Sequence, residues 1–197
     1  MKKKKFLIIF FIFSLTENVF AYSNDPKQFI SEVVAEAKTI LIESNSNEYK
    51  TNKLSEMALR TVDIKGVAFY SLGKYRKNIT DEQLKEYLNL FEKYFLKSFT
   101  SRLTDYSNPK IEVVSTEVIN DNYVMVKSLL IATDQKPEVK IDWRVYTKNP
   151  DKPLIRDLII EGLSLARTQK EEFGSVIESN SGDITKLFIT LKKFIAK

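Results

Sequence analysis

The sequence predicts an α+β domain in which helices pack on a twisted, four-stranded antiparallel sheet. Three observations carry that reading. Up to about residue 104 the apolar residues recur at three-to-four spacing, the period of amphipathic helices. Between residues 110 and 160, four runs rich in Val, Ile, Tyr and Trp succeed one another, with connections too short for helical crossovers. The helical period then returns and holds to the end of the chain. Helices, then a meander, then helices is the order of a sheet covered by helices around one core.

The chain opens "MKKKKFLIIFFIFSLTENVFA". Lys2–Lys5 form a basic stretch, Phe6–Phe13 an unbroken apolar run, and Val19-Phe20-Ala21 places small residues at the −3 and −1 positions. This is the pattern of a secretory signal peptide cleaved after Ala21. The apolar run is far shorter than the ~20 residues a membrane span needs. Residues 22–197 then remain as a single domain, large enough for a full core.

Asp25-Pro26 is a helix start, a capping residue followed by proline at the first helical position. Phe29, Ile30, Val33, Val34, Ala37, Ile40 and Leu41 mark the inward face of a helix over residues 26–43. After the loop Ser44–Asn47 a second helix spans 48–61, with Leu54, Met57 and Ala58 inward. Asp63 caps a short helix, Ile64–Leu72, that Gly73 closes. Thr80-Asp81-Glu82-Gln83 is a capping box. It opens the longest helix, Asp81–Thr104, whose Leu84, Tyr87, Leu88, Phe91, Tyr94, Phe95, Phe99 and Leu103 form a wide aromatic stripe. The four strands are Lys110–Ile119, Tyr123–Ala132, Val139–Lys148 and Leu154–Ile160. In the third, Val139, Ile141, Trp143 and Val145 alternate with Lys140, Asp142, Arg144 and Tyr146, so one face is apolar. The second strand is apolar on both faces and belongs in the middle. Helices over 166–178 and 184–195 close the chain.

Composition narrows the chemistry. The sequence has 197 residues, with 31 Lys+Arg, 26 Asp+Glu, no cysteine and no histidine. Four of the lysines and one glutamate lie in the leader, so the rest of the chain carries 27 basic against 25 acidic residues. A nucleic-acid binder concentrates basic charge on one face, and this balance points away from one. Disulfides and thiolate metal sites are excluded, and transition metals lack their usual ligands. No calcium-loop motif occurs, and "NDN" at 120–122 reads as a hairpin turn. No cofactor is expected. The Lys-rich leader and the lack of disulfides suit a bacterial envelope.

Three stretches could carry chemistry. "RDLIIEGLSLARTQKEEF", residues 156–173, is one residue short of the G-x-S-x-G elbow that exposes a nucleophilic serine. With no histidine there is no imidazole to take the Ser164 proton, and Lys170 falls on another helix face. The other reading makes Gly162 a turn residue and Ser164 a helix cap, and it is preferred. Asp142, Asp157 and Glu161 could form an acid–base pair on neighbouring strands if burial raised one pKa; charged strand residues are more often simply solvated. Lys74, Arg76 and Lys77 in "GKYRKN" either complement a helix C-terminus or contact a phosphate head group or an acidic partner.

The stretch "VDIKGVAFYSLGKYRKNITDEQLKEYLNLFEKYFLKSFTSRLTDY" resembles the signature of the MlaC-like periplasmic phospholipid shuttles, the toluene-tolerance family. The matching positions are Asp63, Leu72, Gly73, Tyr75, Arg76, Thr80, Gln83, Phe91, Phe95 and Tyr106. Tyr75 stands where many members have tryptophan. Residues 156–173 resemble the family too, through Asp157, Gly162, Ser164, Leu165 and Phe173, as does the closing "SGDITKLFITLKKF". The resemblance implies a monomeric, non-enzymatic carrier of glycerophospholipid. It would move lipid between an outer-membrane lipoprotein complex and an inner-membrane ABC transporter with its ring-forming lipid-binding subunit. It also implies a core similar to NTF2-like and cystatin-like folds, with acyl chains between the layers.

That role sets a physical requirement. Two acyl chains hold roughly 30 methylenes, which in water would cost on the order of 24 kcal/mol, more than the ~18–21 kcal/mol at which non-covalent sites saturate. A carrier therefore needs a deep apolar chamber. The expected lining is Leu72, Leu88, Phe91, Phe95, Val126, Leu130, Ile141, Trp143, Val145 and Ile159, with Lys74, Arg76 and Lys77 toward head group or partner. Two other functions use the same residues: a chaperone-like protein gripping unfolded chains in an apolar groove, and an NTF2-like enzyme built on Asp142 or Asp157.

Overall fold

The computed structural model describes residues 21–104, 108–132 and 137–197. The expected signal peptide up to residue 20, Tyr106, and residues 133–136 of the connection after the second strand lie outside the described residues.

The first five α-helices each begin at a capping side chain. The Asp25 carboxylate accepts from the Gln28 N–H and starts α1, Pro26–Ile42. Ser46 caps α2, Asn47–Thr61, and Asp63 caps α3, Ile64–Leu72. A 3-10 turn, Gly73–Lys77, follows. The Thr80–Gln83 capping box, complete in both directions, opens α4, Asp81–Leu103. Such caps each stabilise a helix start by about 1 kcal/mol. Two helices close the chain, α5 over Leu165–Glu178 and α6 over Thr185–Ala196. Among the described residues no helix is long and apolar enough to cross a membrane.

The sheet is an antiparallel meander in chain order: β1 Ile111–Asn120, β2 Tyr123–Leu130, β3 Val139–Tyr146, β4 Leu154–Ile160. The four expected strands are joined by a fifth, β5, of two residues, Leu163–Ser164. Its hairpin turn is Glu161-Gly162, both at positive φ (49° and 82°). That is the geometry of a two-residue type I′ loop, in which glycine carries the left-handed backbone without steric cost. The turn that resembled a nucleophile elbow is therefore a tight hairpin.

Buried side chains divide into two clusters. A helical cluster gathers α3, α4, α5 and α6 around Tyr87, with Phe91, Phe173, Phe188, Leu72 and Ile177. Tyr87 is 0% exposed and donates to the Ala68 carbonyl at 3.0 Å. It packs on Phe91, Phe173 and Phe188 at centroid distances of 5.8, 6.5 and 6.4 Å. Burial pushes its phenol well above the usual tyrosine range. A sheet cluster joins α1 and α2 to β2, β3 and β4 through Phe29, Ile30, Leu54, Met57, Val126, Val145 and Ile155.

An ion pair ties α3 to the sheet. Arg156 on β4 meets the Asp63 carboxylate through Nε at 2.7 Å and Nη2 at 2.6 Å. Gly66 allows that approach: a Cβ there would lie 2.4 Å from Asp63 Oδ2 and 3.0 Å from Arg156 Nε. Gly66→Ala is expected to lower stability by about 1–3 kcal/mol through overpacking. A urea-melt midpoint unchanged from the parent would contradict this.

Candidate functional site

Strand register decides which side chains share the sheet face that α1 and α2 cover. Val126 pairs with Trp143, Ser128 with Ile141 and Leu130 with Val139. Trp143 in turn pairs with Leu158, and Ile141 with Ile160. These residues, with Val145 and Ile155, form the inner face.

Burial along this face is graded. Val126 and Val145 are 0% exposed, closed beneath α1 and α2. Toward the other end Leu130, Val139, Ile141, Trp143, Leu158 and Ile160 are only half-buried. One polar contact interrupts the apolar surface: Trp143 Nε1 donates to Ser128 Oγ at 2.8 Å, and that hydroxyl donates to the Ile141 carbonyl at 2.8 Å. The indole is thereby held in one orientation with its ring left for apolar contact.

Helix α4 reaches the sheet cluster through Phe99 and Leu103. Its close backbone neighbours are α2, α3 and α6 rather than the strands. Phe91, Phe95 and Phe99 form a ladder along it, with centroid steps of 6.3 and 5.9 Å. Phe91 belongs to the helical cluster, while Phe99 and Leu103 pack against the sheet cluster. Phe95 and Phe99 remain half-buried. The half-buried end of the inner face, with Phe99 beside it and Phe95 stacked on Phe99, is a half-open apolar region continuous with a closed core at one end. Such a region can receive apolar chains; it presents no reactive group.

The expected lining residues fall into four groups. Phe95, Leu130, Ile141 and Trp143 lie at the half-open region. Val126 and Val145 are on the same face but closed over. Leu72 and Phe91, each 1% exposed, are enclosed in the helical cluster, against which Leu88 packs. Ile159 is a correction. A bulge between Arg144 and Val145 shifts the β3–β4 register, so Ile159 sits opposite Asp142 on the outer face. Leu158 and Ile160 take the inner positions instead. Phe99 and Leu103 were visible in the α4 stripe but not chosen; Leu158 and Ile160 carried no signal, because period-2 counting fails across a bulge.

Of the four residues that suggested catalysis, Ser164 and Asp157 have structural roles. Ser164 Oγ donates to Asp157 Oδ2 at 2.6 Å and accepts from the Arg167 N–H at 3.1 Å, capping α5. Asp157, 5% exposed, also accepts from the Ala166 N–H at 2.9 Å, and Arg144 stands 3.6 Å away. Asp142 lies on the outer face. Asp157→Ala would orphan the Ala166 N–H and the Ser164 hydroxyl together, an expected loss of about 2–4 kcal/mol. Unfolding followed by circular dichroism checks it, and a loss under ~0.5 kcal/mol would contradict it.

Lys74, Arg76 and Lys77 lie together on the exposed 3-10 turn. Lys74 pairs with Glu178 at 2.5 Å. That hydrogen bond and charge hold its ammonium above the usual lysine range and the Glu178 carboxyl below the usual carboxylate range. Arg76 lies over the Phe69 ring at 4.2 Å.

Comparison with known proteins bears on this geometry. The profile of the family described as "MlaC protein" matches residues 27–193. Among solved structures, the chain is similar to a phospholipid-binding protein from Ralstonia solanacearum, determined in complex with a phospholipid. The TM-score is 0.74 at 20% identity, over 87% of this chain and 97% of the other. At that identity the likeness establishes the α+β fold.

Proposed function

Because this chain belongs to the MlaC family, we propose that it binds a glycerophospholipid and carries it through the periplasm. The acyl chains lie between the inner sheet face and α4, along Trp143, Ile141, Leu158 and Ile160 below and Phe95 and Phe99 above. Donor and acceptor are the outer-membrane lipoprotein complex and the inner-membrane ABC transporter with its ring subunit. The protein acts as a monomer, without catalysis or cofactor, after removal of residues 1–21.

The observation that carries this reading is the graded burial of one face. A fold that needed only a core would close the inner face along its whole length. Here the closed end passes into half-buried Trp, Ile and Leu side chains, with the half-buried Phe95 and Phe99 nearby on α4. Leaving that surface uncovered forfeits roughly 25 cal/mol per Å² of burial, which a lipid tail recovers. The phospholipid bound by the Ralstonia protein of the same fold supports the same assignment.

Trp143 is the one tryptophan in the sequence, so it reports on the site. Protein purified without detergent is expected to yield phospholipid on solvent extraction, and native mass spectrometry to show the loaded mass. Stripping the lipid should move the Trp143 emission to longer wavelength, and adding lipid back should restore it. Absence of extractable lipid, with emission indifferent to added phospholipid, would overturn the proposal. Suppressed aggregation of an unfolded client by such lipid-free protein would favour the chaperone-like function instead.

A further inference from the structure

A second surface, on the helical side of the fold, combines cations with rings. Lys65 and Arg76 both lie over Phe69, at 5.9 and 4.2 Å from its centroid. Lys170 of α5 lies 5.3 Å from the ring of Tyr70, which is 44% exposed. Its stem runs beside Gly73, with Cε 2.9 Å from where a Cβ would stand. Lys74 lies 5.3 Å from the Tyr75 ring. These contacts make one continuous face of α3, the 3-10 turn and α5. A cleft of about 520 Å³ opens between the turn and α5, edged by Lys74, Tyr75, Lys170, Glu171 and Glu178.

Five exposed cations, counting Lys77, face two carboxylates there, and one of those, Glu178, is taken by Lys74. Among the described residues no carboxylate lies within 4.0 Å of Lys65, Arg76, Lys77 or Lys170. The chain outside the leader is nearly neutral, so this excess is local.

We propose that the face formed by α3, the 3-10 turn and α5 docks on the surface of a membrane containing anionic phospholipid. Four of the five cations are lysines, flexible point charges that suit many phosphates at no fixed geometry. The half-buried Phe69 and exposed Tyr70 are ring types that settle at the depth of lipid head groups, with charged neighbours reaching outward. A stable protein partner would need complementary shape over roughly 800 Å² on this side, whereas a lipid surface needs only charge and a few rings. The proposal adds a membrane contact to the carrier function without depending on the inner-face site.

Vesicle flotation tests it on the exported protein. Binding is expected to vesicles containing an anionic phospholipid, to fall with added salt, and to be absent from purely zwitterionic ones. The variant Arg76→Gln/Lys77→Gln/Lys170→Gln should bind roughly 100-fold more weakly, at about fivefold per charge. Lys110→Gln/Lys140→Gln/Lys148→Gln, the same charge removed from exposed positions near the sheet, should lose little. Extractable phospholipid should stay the same in both, which separates this contact from the cargo site. Binding that ignores lipid charge, equal weakening in the two variants, or patch-dependent capture by an acidic envelope protein with no vesicle binding would each overturn the proposal.

Discussion

Asp63→Ala is expected to lower the free energy of unfolding by about 3–5 kcal/mol, the usual cost of stripping one partner from a largely desolvated ion pair. Asp63 does two jobs through one carboxylate. Oδ1 accepts from the Gly66 N–H at 2.8 Å and caps α3. Oδ2 receives Nε and Nη2 of Arg156 in a fork. Both partners are shielded, with side chains 28% and 19% exposed. Arg156 is further fixed by donating to Tyr123 Oη at 2.7 Å and by lying 3.5 Å from the Tyr146 centroid. Removing Asp63 leaves the guanidinium wedged between two tyrosines with no counter-charge. Arg156→Met should cost less, about 1–3 kcal/mol, because Asp63 keeps its cap. The double variant should be less harmed than the two losses added, with a coupling of about 1–3 kcal/mol. Denaturant melts of the four proteins decide it; additivity within ~0.5 kcal/mol would show that the two residues do not act together.

The second large effect concerns cargo. Ile141→Asp is expected to leave the protein folded and to reduce its phospholipid content by 100-fold or more. Ile141 is only half-buried, so a carboxylate there stays hydrated while the site is empty. A lipid tail laid along the face would remove that water, at a cost of several kcal/mol for an unpaired charge. The matched comparison is Ile159→Lys. Ile159 is the same residue type on the neighbouring strand, but it faces outward and sits opposite Asp142, where a lysine gains a cross-strand partner. Its lipid content should match the parent. Lipid extraction and thermal melts of both variants test the site as a face rather than a residue. Equal loss in the two, or none in either, would remove the inner face from consideration.

Much of this was legible in the residues, for local reasons. Asp25, Asp63, Thr80 and Ser164 cap helices with side chains that act within three residues, so position alone reveals them. The alternation of β3 places Ile141, Trp143 and Val145 correctly because that strand is unbroken between Val139 and Tyr146. What failed needed a partner strand. The bulge beside Arg144 shifts the register of β4, so Ile159 turned outward and Leu158 and Ile160 turned in. The two-residue β5 is too short for any period. The Asp63–Arg156 pair spans 93 positions, and neither residue advertises the other. Nor could the α4 stripe show where it changes function: Phe91 and Phe99 sit two turns apart on one side of the helix, yet one belongs to each cluster.

The helical cluster closes around Tyr87 using α3, α4, α5 and α6 alone. That leaves the half-open stretch of the inner face with little share in keeping the chain upright. Changes of bulk at Ile141, Leu158 and Ile160 are therefore expected to alter the proposed cargo surface while the scaffold that holds it persists. Under the proposed function, a change of cargo would have its room on the inner sheet face, and its constraint in the rings packed around Tyr87.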